Sequence, residues 1–186
     1  MTWSDVTIEK FQMLKAVPQQ ADSIGKACYT LSALYGKPLD YFESLPLSEL
    51  LKMYRGVSFI NDPLPEKFEG LIKVGNRKYI PVVDVHQMTG EQFILLQNLS
   101  GTVDESITNL HKIMAVVCKE KTLFSARSWD ADFENKSNDM LQCPITKAWP
   151  CSLFFFRLCN TWHELTQTYL EAELTKQIQR MTPTAK

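Results

Sequence analysis

Apolar residues recur along this chain mainly at three-and-four spacing, the period of a helix with one buried face, and change to strand-like patterning in a single stretch. The first helix is expected to start at Thr7, whose hydroxyl can accept a bond from an orphan backbone N–H, with Val6 placed to staple onto Phe11. Ile8, Phe11 and Leu14 give it a narrow apolar stripe, and Pro18 ends it. A second helix is predicted from Ala21 to Tyr35, carrying Ile24, Ala27, Cys28, Leu31 and Leu34, and Gly36 with Pro38 stops it. A short helical turn over Pro38 to Ser44 follows. Pro46 then suits the first turn of a helix bearing Leu47, Leu50, Leu51 and Tyr54.

Pro63 and Pro65 enforce extended backbone, and residues 61–65 mark the one internal sub-boundary that the sequence suggests. From Phe68 the pattern becomes strand-like. Leu71 to Val74, the turn Gly75-Asn76 and Arg77 to Val83 predict a two-stranded antiparallel hairpin, with Pro81 making the second strand an edge at that point. A lone hairpin needs a helical partner. Thr89 and Gln92 form a capping box for that helix, with Met88 able to staple onto Phe93, and the hairpin and its helix together span residues 68–99. Gly101 ends it. Asp104 to Lys119 predicts the central core helix, with Ile107, Leu110, Met114 and Val117 on one face and Ile113 and Val116 widening it.

Lys121 to Asp139 is polar and irregular apart from Leu123, Phe124, Trp129 and Phe133. After Pro144 a long C-terminal helix is expected over about 145–181, with Pro150 kinking it or marking its start and 182–186 a disordered tail. Leu153-Phe154-Phe155-Phe156 is apolar nearly all round and predicts burial on several sides. Phe155, Leu158, Trp162, Leu165 and Tyr169 form a stripe that can bind a helix of the same chain, of a partner, or of a second copy in a homo-oligomer. These five are the candidate partner-binding residues. The fold expected is mainly α with a small antiparallel β-hairpin (α+β): a single helical-bundle domain over 1–181.

Composition narrows the function. A chain of 186 residues supports one domain with a real core, and 45% hydrophobic with 22% charged residues is ordinary for a folded globular protein. A net charge of −1 gives no drive toward nucleic acid or an anionic membrane, and neither partner is expected. No apolar run reaches the roughly 20 residues of a membrane-spanning helix, and Met1 to Asp5 lacks the start of a signal peptide, so a cytoplasmic location is expected.

The sequence offers no catalytic machinery. Cys28, Cys118, Cys143, Cys151 and Cys159 are scattered, fitting neither a disulfide framework nor a zinc site, and read as reduced, mostly buried thiols. His86, His111 and His163 lie in separate predicted elements without metal spacing. A nucleophile pair of Cys118 and His111 lacks any sign of thiol activation. Asp84, Asp130 and Asp132 read as caps and loop residues, and the basic cluster of Lys73, Arg77 and Lys78 as a solvated turn beside Glu66, Glu69 and Asp84. No Gly-rich phosphate loop occurs. The expectation is a protein that is not an enzyme and has no cofactor or metal.

The order of these pieces resembles small tail-assembly chaperone-like proteins of tailed bacteriophages, especially phages of Bacteroides and relatives. The resemblance spans most of the chain. It rests on Thr2 to Phe11, Leu45-Pro46-Leu47-Ser48-Glu49-Leu50, the hairpin Ile72 to Val83 with Met88 to Phe93, Asn109 to Val116, and Pro144-Ile145-Thr146. The polar segment Leu123 to Asn138 and the extension past Tyr169 depart from it. It transfers no active site. It implies transient binding of the tape-measure protein in the host cytoplasm during tail assembly, by an apolar stripe. A structural virion protein, at a head–tail junction or packaged in the particle, is the alternative.

Overall fold

A computed structural model describes residues 1–82, 87–121, 132–158 and 161. The chain divides into two compact units, Met1–Ser152 and Leu153–Lys186. Within the first, a 3-10 turn at Trp3–Asp5 precedes α1 (Ile8–Lys15), α2 (Ser23–Tyr35), α3 (Leu39–Glu43) and α4 (Leu47–Arg55). Strands β1 (Ile72–Val74) and β2 (Arg77–Pro81) lead to α5 (Gly90–Leu99), α6 (Val103–Thr108), α7 (Leu110–Val117), β3 (Cys118–Glu120) and α8 (Phe133–Met140). Residues 145–158 are helical and are called α9. The architecture is mainly α with a small antiparallel β part.

Local signals set most helix ends. Thr7 caps α1 by accepting from the Lys10 N–H, and Asp22 caps α2 by accepting from the Gly25 N–H. Gly36 ends α2 in the left-handed region at φ +66°. Thr89 and Gln92 form the expected reciprocal capping box on α5. The start of α1 is also tied to distant chain: the Ile8 and Glu9 N–H groups donate to the carbonyls of Cys143 and Leu141 at 2.9 and 3.0 Å, and Ile145 N–H donates to Val6 at 2.8 Å. Donors orphaned at the start of α1 thus meet carbonyls just past α8.

The expected two-stranded hairpin is part of a three-stranded sheet in the order β1-β2-β3. Ile72 pairs with Tyr79, and Tyr79 with Glu120, so β2 is the central strand, while at Pro81 it pairs with β3 alone and its β1 side is an edge. Pro81 is tolerated there for a geometric reason. The Val82 N–H donates to Val117 at 2.8 Å and the Lys121 N–H to Lys78 at 2.7 Å. Antiparallel bonding alternates, so the Pro81 nitrogen faces the β1 side, at a level before β1 begins. At the turn Gly75 has φ +54° and, among the described residues, no non-glycine has a positive φ, which is the II′ pattern.

The core of the first unit is centred on α7, whose Leu110, Ile113, Met114, Ala115, Val116 and Val117 are all buried. It packs against α1, α5, α6 and α8 and continues into β3. The one long helix expected from Asp104 to Lys119 is therefore two, broken at Asn109, and its last residues are strand. Lys121 to Asp139 is not irregular throughout, because Phe133–Met140 forms α8, packed on α7 with Met140 buried. Ile24 is 46% exposed although the period assigned it to the core stripe of α2.

Residues 61–65 lie inside the first unit, and the Asp62 carbonyl accepts from the Trp3 indole N–H at 3.0 Å. Trp3 also meets Phe11 and Phe59 edge-on, and Phe11 meets Trp149. Residues 145–158 are helical through Pro150, so Pro150 does not mark the start of α9.

Candidate functional site

Helix α4 of the first unit leaves two leucines of one face open. Pro46 presets the entry, and Lys52 and Arg55 in the last turn complement the helix dipole. Leu50 is buried, and α4 packs against α2. Leu47 and Leu51, one turn apart on the same helical face, are 53% and 39% exposed. Ser48, Glu49, Lys52 and Arg55 are exposed around them, giving an apolar centre with a polar surround.

The neighbouring α3 and the end of α2 add aromatic surface. Tyr35 and Tyr41 are exposed, and α3 packs on α2. The Lys37 ammonium sits 3.9 Å from the Tyr41 ring centroid, and Tyr41 meets Phe42 edge-on at 5.1 Å. Chemically this corner can bind apolar or aromatic groups; it carries no arrangement for bond making.

The stripe expected from Phe155 to Tyr169 is described only at its start. Phe155 is buried and Leu158 is half-buried. Trp162, Leu165 and Tyr169 lie outside the described residues, as do Cys159, His86, His163, Asp84, Asp130, Trp129 and the end of the expected long helix. Within Leu153-Phe154-Phe155-Phe156, Phe155 is buried, Leu153 and Phe156 are half-buried and Phe154 is 39% exposed.

The remaining chemistry-bearing residues have packing surroundings. Cys28, Cys118, Cys143 and Cys151 are free and buried. Burial pushes the Cys143 thiol up to about 12. Cys151 is raised by its hydrogen bond with Cys118 and then by burial, so neither is a thiolate at neutral pH. Burial also lowers Lys136 on α8. In the basic cluster, Arg77 pairs with Asp139 at 2.8 Å and lies 3.9 Å from Glu120, tying the sheet to α8. Tyr79 donates from its hydroxyl to the same Asp139 carboxylate at 3.2 Å.

Nδ1 of His111 lies 3.1 Å from the Gln12 side-chain nitrogen, and burial lowers the ring's affinity for a proton. Asp132 accepts from the Asn135 amide one turn on. Among the described residues no group of histidine, cysteine and carboxylate side chains could hold a metal ion, and no helix is long and apolar enough to cross a membrane.

Periodicity placed Leu47 and Leu51 on an apolar face but treated that face as packing. No sequence signal marked it as open: Leu47, Leu50, Leu51 and Tyr54 form a stripe of the ordinary width of a core-facing helix. No protein-family model matches the chain, and no curated protein or solved structure matches it either.

Proposed function

We propose that this protein is a non-enzymatic binding protein of phage morphogenesis, a tail-assembly chaperone that holds apolar helix of the tape-measure protein in the host cytoplasm until the tail assembles. The observation that carries this reading is the open leucine face of α4, with Leu47 and Leu51 exposed one turn apart inside a polar surround. That face begins in Leu45-Pro46-Leu47-Ser48-Glu49-Leu50, one of the stretches on which the resemblance to such chaperones rests. A leucine side chain gains about 1.5–3 kcal/mol when fully buried, so a pair left in water favours an apolar partner. The polar surround limits the contact to a narrow strip, as suits binding that must later be released.

Co-expression with the product of a neighbouring long tape-measure gene tests it. The expected result is co-purification and a larger soluble fraction of that protein, both lost in the double variant Leu47→Glu, Leu51→Glu, with thermal unfolding of the variant unchanged within a few degrees. Equal solubility with and without this chain would overturn the proposal. Recovery of the chain in stoichiometric amount from purified virions would replace it with a structural role in the particle.

A further inference from the structure

Gln12, on α1, reaches a helix end 95 positions away in the chain. Its Nε2 donates to the carbonyls of Ile107 and Thr108 at 2.9 and 2.7 Å, in the last turn of α6, and lies 3.1 Å from Nδ1 of His111 on α7. Carbonyls in a last helical turn lack the usual partner four residues on, and although the Asn109 N–H also meets the Ile107 carbonyl, the amide joins it there and bonds the Thr108 carbonyl as a remote C-cap. The two carbonyls accept only, which fixes the amide with nitrogen toward them. The two amide hydrogens then face three acceptor positions, one of them shared, and an Nδ1–H on His111 would set donor against donor, so the arrangement calls for a neutral ring with its proton on Nε2.

The geometry points to an acid-sensitive latch: proton uptake by His111 uncaps α6 and loosens α1 from the corner between α6 and α7. A protonated ring turns an N–H toward the NH₂ of Gln12, donor against donor. If the amide turns over to offer its oxygen to the ring, that oxygen instead faces the Ile107 and Thr108 carbonyls. No orientation of Gln12 satisfies both helix end and imidazolium. The side-chain charges acting on the ring are Lys112, its chain neighbour, which opposes protonation, and Glu134 on α8, which favours it. The side chain it meets from α1 is the neutral Gln12, and α6 presents backbone carbonyls through that amide.

Two measurements on the full-length chain test this. A ¹⁵N NMR titration of the histidine rings is expected to find His111 as the Nε2–H tautomer with a midpoint below the ordinary value near 6.5. An Nδ1–H tautomer, or a midpoint at or above that value, overturns the latch. Hydrogen exchange by mass spectrometry over Ile8–Lys15, corrected for intrinsic rates, is expected to show opening about threefold or more greater at pH 5.5 than at pH 7.5, against tenfold for each full unit of displaced pKa. The variant Gln12→Met is expected to open α1 already at pH 7.5 and to lose the acid response. An acid response equal to that of the wild type would overturn the latch. Should the variant fail to fold, the wild-type titration and exchange data decide alone.

Discussion

Two glutamines cap helices to which they do not belong. Gln12 serves the end of α6, and Gln92, buried at the start of α5, donates from Nε2 to the Val116 carbonyl in the last turn of α7 while its Oε1 accepts from the Thr89 N–H. Gln92→Leu keeps the volume and strands both backbone groups, so a loss of about 1–3 kcal/mol is expected in urea unfolding, against about 1 kcal/mol for Thr89→Ala. Tyr79 offers a second test. Burial is the main cause raising its phenol to about 12 from 10.0. A raised folded-state value means that its contribution to stability is complete below the unfolded value and is lost as pH rises from 10 toward 12. Wild-type stability should therefore fall across that window by more than that of Tyr79→Phe, measured by denaturation at each pH. The capping role of Gln92 toward Thr89 was legible because both residues lie on one local motif. Its bond to Val116, and every bond of Gln12, depends on chain brought in from elsewhere, and nothing in a half-polar helical position announces it.

Among the elements, helices with their own caps were readable from local chemistry, and those defined by neighbours were not. Thr7, Gly36 and Thr89 mark their helix ends in the structure as they do in the sequence. β3 is three residues directly after an apolar helical run, and it is a strand because β2 lies alongside it. The Asn109 break escaped notice since the apolar period runs through it. Likewise Leu50 and Leu47 carry the same apolar signal, yet α2 covers only part of α4, so pattern identifies an apolar face without saying whether the fold buries it. The start of α1 yields a prediction with a distinctive sign. Proline at the first helical position is normally neutral or favourable, as its missing donor is an orphan and the preceding residue is extended, as Thr7 is here. At Ile8 that donor is bonded to Cys143. Ile8→Pro should therefore be less stable than Ile8→Ala by about 1 kcal/mol in urea unfolding, both having lost the buried side chain equally.

For the molecule as a whole, the first unit is closed by contacts between its two ends. Thr7 forms a bridge with Pro144, and Gln142 donates to Glu9 across 133 positions of chain. Phe11 packs on Trp149, and Lys147 pairs with Glu69, so residues 142–149 fasten the beginning and middle of the unit. The open leucines of α4 belong to the same unit and are held on a helix with its own buried anchor, Leu50. That arrangement predicts that Leu47→Glu with Leu51→Glu separates binding from folding, as set out above. The seam between Val6–Glu9 and Leu141–Ile145 also fixes an order of events during synthesis. The ribosome makes α1 early, but the carbonyls that complete its first turn emerge only when nearly the whole unit has been translated. Until then α1 has a frayed start and its Phe11 lacks Trp149, and contacts of such long sequence separation form slowly. A nascent chain halted before Leu141 should be unable to seat its own first helix, making the N-terminal segment the last part of the unit to become resistant to protease.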